Sequence, residues 1–269
     1  MIRRSIITFA ILGIITFALA FWYGHTTWLQ LGNPAIGSGY TLLGLMLLLG
    51  FFNIRKRLSM LPVGRGSIWL AFHVVAGVLA IAMFWLHTGT VWPEGTYEQV
   101  LTVLFYLVSL TGVFGYIILR GLPRRLTQTG IEIMYERIPA EISEIREKVE
   151  ALSLECTEKT GSDTVAQHYI GTLNWFFQRP RFGISHLLGG DAAGHWLRGP
   201  GTAARRYLNN DEKEYFDQIL ELGALKVLVD RHFVCQDLMK KWLLVHVPLS
   251  MAVILLSIWH FLLVNVYAL

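Results

Sequence analysis

Long runs of apolar residues dominate the chain and are separated by short polar connections. Five runs approach the ~20 mostly apolar residues that a membrane-spanning helix requires. They cover residues 5–23, 39–53, 67–87, 97–119 and 242–266. The pattern predicts an all-α, polytopic membrane bundle of about five transmembrane helices. The first run resembles the start of a signal peptide, but its apolar stretch is longer than usual, which favours a retained anchor.

Charge patterning predicts the orientation of these spans. Only 16% of the residues are charged and the mean hydropathy is +0.47, whereas soluble proteins carry about 25% charged residues. If the spans alternate from an inner N-terminus, the outer loops hold only Glu94 and Glu98 as formal charges. The positive-inside rule then predicts a multi-pass protein of a bacterial inner membrane, with its N-terminus inside and its C-terminus outside. The net charge of +4 reflects this bias and does not indicate a nucleic-acid partner.

A change of composition divides the chain. Residues 120–241 hold most of the acids and bases, which predicts a cytoplasmic helical insert between the four spans of residues 1–119 and the last span within residues 242–269. Cys156 and Cys235 lie on the predicted inner side, where a disulfide is not expected. No Cys-x-x-Cys-His motif occurs, which excludes covalent c-type haem attachment.

The insert shows the periodicity of helices. Apolar residues recur at steps of three and four over residues 131–152, which predicts an amphipathic helix that Pro139 divides. A second helix is predicted over residues 164–178, and residues 179–206, rich in Gly and Arg, are predicted to form a loop. A final helix is predicted from Asn210, with acidic residues in its first turn, and it leads toward the fifth span.

Four histidines in the apolar runs form two equally spaced pairs. His73 and His87 lie fourteen residues apart in the third span, and His246 and His260 lie fourteen apart in the fifth. In an α-helix this separation is ~1400° of turn and ~21 Å of rise, so the two histidines of each span share one face. A histidine inside a membrane is costly and is a functional candidate by default.

The topology predicts how these histidines meet across the bundle. The third and fifth spans run in the same direction, so His73 matches His246 in depth on the inner side, and His87 matches His260 on the outer side. Two such imidazole pairs are suited to hold two stacked haem irons as axial ligands. The alternative is that histidines in spans hydrogen-bond between helices.

Other residues are weaker candidates for the same site. Haem propionates need cations at the membrane surface, and four cations near the inner pair are candidates to contact them. The alternative for each is ordinary positive-inside anchoring. These cations are Arg57, Arg65, Lys240 and Lys241. Glycines in the spans suit either close approach of a porphyrin or close helix packing; these are Gly44, Gly50, Gly77, Gly112 and Gly115.

The remaining histidines are expected to have other roles. His25 at the outer end of the first span is interpreted as an interfacial residue, with contact to a haem or a quinone as the alternative. His232 lies fourteen residues before His246, but no partner histidine is apparent for a third site. His168, His186 and His195 are scattered in the insert and are expected to be structural or exposed.

The two His-x(13)-His pairs on parallel helices resemble the haem-binding core of cytochrome b from the quinol:cytochrome c reductases. They are also similar to the bacterial di-haem b-type cytochromes that serve as subunits of membrane oxidoreductases. The resemblance covers spans two to five and implies that His73, His87, His246 and His260 are axial ligands of two non-covalent b-type haems. The chain departs from cytochrome b because it lacks a Pro-Glu-Trp-Tyr-like quinol motif and carries the large insert.

These patterns predict an electron-transfer subunit of an oxidoreductase rather than a stand-alone enzyme. Bis-histidine ligation fills both axial positions of an iron, so each haem would carry single electrons. The expected partners are other redox subunits, with a periplasmic c-type cytochrome, a cytoplasmic redox protein and a quinone as candidates, and membrane lipid around the spans. Two alternatives are a haem or metal-ion transporter that uses the same histidines, and a membrane anchor whose insert is the active part.

Overall fold

A computed structural model describes residues 2–57 and 65–267. The described residues form helices joined by short turns and contain no strand. Five helices are long and apolar enough to cross a membrane, which confirms the predicted all-α membrane bundle. The ten α-helices are α1 (Ile2–Leu29), α2 (Pro34–Arg57), α3 (Gly66–Thr88), α4 (Thr96–Thr127), α5 (Ile138–Thr160), α6 (Thr164–His168), α7 (Asn174–Phe177), α8 (Gly183–Leu188), α9 (Ala192–Arg198) and α10 (Asn210–Tyr267).

The apolar helices extend beyond the apolar runs, and their boundaries lie at residues that favour helix ends. The second run is the shortest of the five, yet α2 has 24 residues. It begins at Pro34, whose fixed φ suits the first helical position, and the Asn33 side chain accepts a hydrogen bond from the Ala35 amide at 3.0 Å. Helix α3 ends at Gly89, which adopts a φ of 62° and donates its amide to the Trp85 carbonyl, as glycine does at helix C-termini.

The chain divides into two compact units, and the first contains residues 1–116 and 242–269. Its described core lies among α2, α3, α4 and the last part of α10. Phe84 and Phe105 stack there with ring centroids 4.3 Å apart. Helix α1 packs against α2 and α3 and leaves many large apolar side chains exposed, as expected for a surface that faces lipid. The buried apolar residues are Leu42, Met46, Ala80, Met83, Phe84, Phe105 and Val253.

The second unit contains residues 117–241 and differs from the predicted helices in two places. Pro139 does not divide a helix, because it lies in the first turn of α5, where a proline costs no hydrogen bond. Helix α5 ends at Gly161, which has a φ of 67°. The predicted second helix is present, but a π-helical turn at Tyr169–Leu173 separates α6 from α7.

The prediction of a loop over residues 179–206 was wrong. This stretch contains α8, α9 and a 3-10 helix at Pro200–Tyr207. Apolar residues between the glycines explain the difference, since Ala193 and Leu197 join the core of the unit and Trp196 stacks on Phe176 at 5.0 Å. The glycines separate short helices; Gly189, for example, has a φ of 82°.

A reciprocal pair of hydrogen bonds fixes the start of α10. The Glu212 amide donates to Asn209 Oδ1 at 2.8 Å, and the Asn209 amide donates to Glu212 Oε2 at 2.7 Å. This is a capping box, which satisfies two backbone donors that a helix N-terminus leaves unpaired. The helix begins at Asn210, as predicted.

The second unit contains a buried ion pair and a buried histidine. Lys226 and Asp230 are both 0% exposed, and their Nζ and Oδ2 atoms lie 2.6 Å apart. Lys226 Nζ also donates to the Arg179 carbonyl at 2.8 Å, and the Arg181 amide donates to Asp230 Oδ2 at 3.1 Å. Burial lowers the pKa of Lys226 and raises the pKa of Asp230 to about 6. His186 is 1% exposed, and burial lowers its pKa to about 4.

Candidate functional site

The four membrane histidines lie on α3 and α10 in the first unit, where His87 meets His260 as predicted. The rings of His87 on α3 and His260 on α10 have centroids 6.4 Å apart and planes at 81°. His73 and His246 lie on the same two helices, fourteen residues before His87 and His260. All four side chains are partly buried. We call these the His73–His246 pair and the His87–His260 pair.

The first turns of α2 position His87. Its Nδ1 lies 2.9 Å from the Ala35 carbonyl oxygen and 3.4 Å from Ser38 Oγ. A carbonyl oxygen only accepts hydrogen bonds, so Nδ1 carries the proton and Nε2 keeps a free lone pair. Gly39 lies one turn after Ala35, and a Cβ atom at this glycine would lie 2.8 Å from His87 Cε1. The ring therefore fits only because residue 39 has no side chain.

Helix α4 contributes no histidine, but it positions His246. Thr111 Oγ1 lies 2.9 Å from His246 Nδ1. Trp242, one turn before His246 on α10, stacks on the imidazole with centroids 5.2 Å apart and planes at 19°. Its indole Nε1 donates to the Thr111 carbonyl at 2.7 Å. One threonine therefore contacts the histidine and the aromatic ring that covers it.

The other member of each pair is held by packing. His73 lies against Phe52, with centroids 4.8 Å apart, and its buried Nδ1 has no hydrogen-bond partner among the described residues. His260 stacks on Tyr97, with centroids 5.9 Å apart and planes at 16°. Tyr97 is tied to α10 by its hydroxyl, which donates to the Leu256 carbonyl at 2.6 Å. Each pair thus combines a hydrogen-bonded ring with a ring held by aromatic contacts.

The span glycines fall into two groups. Side chains of α10 occupy the space beside three of them, with Ile254 against Gly50, His246 against Gly112 and Trp242 against Gly115. This agrees with the helix-packing interpretation at those positions. A Cβ atom at Gly44 or Gly77 would meet nothing within 4 Å, so these two leave open space.

The residues predicted to contact the propionates have local partners of their own. Arg65 is exposed and lies just before α3, where its carbonyl accepts the amides of Ile68 and Trp69. Lys241 forms an ion pair with Asp237 at 2.7 Å, and Lys240 forms one with Glu136. The Arg57 side chain lies outside the described part of the chain.

The histidines outside the pairs have other surroundings. Both ring nitrogens of His232 have partners, since Nε2 lies 2.8 Å from Thr129 Oγ1 and Nδ1 lies 3.4 Å from Gln236 Nε2. His168 Nε2 lies 3.0 Å from the Gly201 carbonyl, and His25 is exposed with its ring near Trp28. Across residues 2–57 and 65–267, no cluster of three or more His, Cys, Asp or Glu side chains is suited to a metal ion.

Comparison with known proteins returned no match: the chain fits no known protein family, and neither curated proteins nor solved structures show significant similarity to it. The functional argument therefore depends on this chain's own residues. Sequence patterns identified the histidines but missed the residues that position them. Thr111, Gly39 and the Ala35 carbonyl act through local contacts that no residue spacing reveals.

Proposed function

We propose that this protein is a di-haem b-type cytochrome that transfers electrons across a membrane as a subunit of an oxidoreductase. The observation that carries the proposal is the contact of His87 with His260 between two helices that carry a second pair of histidines, His73 and His246, at the same spacing. The pairs are separated by fourteen residues along each helix, or ~21 Å of rise.

The geometry of the His87–His260 pair fits a shared metal ion. A metal–imidazole bond is about 2 Å long in zinc sites, so two rings on opposite sides of one ion have centroids ~6 Å apart. The observed separation is 6.4 Å. His87 also presents a free Nε2 lone pair, because its Nδ1–H donates to the Ala35 carbonyl. Metal-bound histidines usually donate their second ring nitrogen in this way.

The residues of each pair define what the bound group could do. His73 with His246, and His87 with His260, would hold the two haems, with Arg65 and Lys241 as candidates for the propionates. A bound haem supplies a reversible one-electron carrier. An iron held by the two imidazoles of either pair would carry single electrons and would not bind oxygen or a substrate. The chain's own contribution is to fix the imidazoles, exclude water from the spans and tune the potential through hydrogen bonds to the rings.

The proposal extends to location and partners. The basic residues support an inner-membrane protein of a bacterium, with its N-terminus in the cytoplasm and its C-terminus outside. An electron conduit needs a donor and an acceptor, so we propose redox subunits on either side. A cytoplasmic redox protein or quinone would act at one end, and a periplasmic c-type cytochrome would act at the other.

Spectroscopy of the purified protein tests the proposal. A reduced-minus-oxidised absorption spectrum should show low-spin b-type bands, and extraction should yield two haems per chain. His87→Ala and His260→Ala should each remove the same haem, whereas His73→Ala and His246→Ala should remove the other. His25→Ala is the matched control, since His25 is exposed on α1, and it should retain both haems.

Two results would contradict the proposal. One is a membrane-inserted, folded protein without haem bands, which would favour the transporter alternative. The other is a loss of different haems in His87→Ala and His260→Ala, because the pairing predicts that these two rings share one iron.

A further inference from the structure

The hydroxyl of Thr111 lies between a carbonyl oxygen and an imidazole nitrogen. Thr111 Oγ1 donates to the Val108 carbonyl of its own helix at 3.0 Å. A hydroxyl has a single proton, and with that proton on the Val108 carbonyl the oxygen accepts from His246 Nδ1, which lies 2.9 Å away. His246 therefore carries its proton on Nδ1 and presents the Nε2 lone pair.

The backbone of Thr111 adds a second constraint on the same ring. Its carbonyl accepts the Trp242 indole N–H at 2.7 Å, and this indole covers one face of the imidazole. The indole occupies the surface of α4 at Gly115, where a Cβ atom would lie 2.0 Å from Trp242 Cζ2. Ring rotation and protonation of His246 are thus both determined from α4. His73, its partner, has no comparable bond at its buried Nδ1 among the described residues.

We infer that Thr111 is the positioning residue of the His73–His246 haem site, fixing His246 as an Nε2 ligand and setting the potential of that haem. The inference rests on the proposed function. An N–H···O bond at Nδ1 makes the imidazole a stronger electron donor, which stabilises oxidised iron. Removing the hydroxyl should therefore raise the midpoint potential of this haem and weaken its binding by about 10–100-fold, as loss of outer-shell partners generally does.

A pair of substitutions at this threonine separates the hydrogen bond from the packing. Thr111→Val keeps the shape and removes the acceptor, whereas Thr111→Ser keeps the acceptor. In a redox titration, Thr111→Val should shift upward only the component that His246→Ala abolishes, and Thr111→Ser should titrate like the wild type. Thr41→Val is the matched control, because the Thr41 hydroxyl bonds to the Gly37 carbonyl of its own helix, and it should leave both components unchanged.

A measurement on protein prepared without haem tests the same contact independently. Histidine ¹⁵N chemical shifts distinguish the two neutral tautomers, and the resonance missing from His246→Ala identifies His246. The wild type and Thr111→Ser should show the Nδ1–H tautomer, and Thr111→Val should lose this preference.

The outcomes separate the inference from the proposed function. If the wild type binds two haems and Thr111→Val leaves both potentials and the haem affinity unchanged, the inference is wrong and the proposed function stands. An Nε2–H tautomer of His246 in the wild type also overturns the inference. If the wild type binds no haem, the proposed function fails, whatever the tautomer.

Discussion

Replacing Gly39 by alanine should displace His87 and empty one half of the candidate site. The added Cβ atom would lie 2.8 Å from His87 Cε1 and 3.1 Å from Nδ1. Both distances are shorter than the optimal separation between carbon atoms, which is about 3.5–4.0 Å. The imidazole has to move, and the ring nitrogen that is bonded to Ala35 moves with it.

The size of the effect follows from two opposing contributions. A buried donor that loses its acceptor costs about 1–3 kcal/mol. Alanine in a helix interior gains about 0.5–1 kcal/mol over glycine. The free energy of unfolding should therefore fall by up to ~2.5 kcal/mol. On the proposed function, a haem held by the His87–His260 pair should bind about 10–100-fold more weakly, because its ligand loses an outer-shell partner.

Gly13→Ala provides the matched control for this substitution. Gly13 lies on the transmembrane helix α1, and a Cβ atom there would lie 3.7 Å from Val75 Cγ1, an ordinary contact. This variant should gain about 0.5–1 kcal/mol from helix propensity and keep both haems. The assays are detergent-denaturation curves and haem content per chain. Equal stability and equal haem content in Gly39→Ala and Gly13→Ala would refute the steric argument.

Three further predictions concern the second unit. Lys226→Met should destabilise it by about 3–5 kcal/mol, because Asp230 then stays buried without its cation; denaturation should show that adding Asp230→Leu restores most of the loss. His186 has a folded pKa of about 4 against an unfolded value of about 6.5. The free energy of unfolding should therefore be greatest above pH 6.5 and fall as the pH drops toward 4, because the unfolded histidine gains a proton that the buried one does not. Over that range the free energy of unfolding of the wild type should fall by up to about 3 kcal/mol relative to His186→Gln. Asp230 has the opposite pH trend in both proteins, so it does not affect this difference. Parallel curves of stability against pH for the two proteins would contradict the prediction. Asn209→Ala removes the side chain that caps α10 and should cost about 1 kcal/mol, measured by hydrogen exchange in the first turn of that helix.

Periodicity predicted the parts of the fold that depend on hydrophobic contrast. The five spans and the start of α10 at Asn210 follow from apolar runs and acidic residues, which act within one helix. The stretch of residues 179–206 was mistaken for a loop because its glycines and arginines mask the buried Ala193 and Leu197. Short helices of six and seven residues owe their formation to tertiary packing, which composition does not report.

The sequence likewise predicted only part of the candidate site. Equal spacing in the third and fifth spans predicted that His87 meets His260, whose ring centroids lie 6.4 Å apart. The spacing does not reveal the hydrogen bonds to Nδ1, since Thr111 and Ala35 are on α4 and α2, and helix rotation decides which of their atoms face a ring. Glycine at residue 39 is unremarkable in a membrane sequence, and only the 2.8 Å approach to His87 distinguishes it from other glycines.

The two anchoring bonds differ in their tolerance of evolutionary change. The acceptor for His87 is a main-chain oxygen, which every amino acid at position 35 supplies. The acceptor for His246 is a side-chain hydroxyl, which at position 111 only threonine and serine provide in similar geometry. A single codon change at position 111 can therefore alter the hydrogen bond to His246, whereas the bond to His87 persists as long as residue 39 stays small.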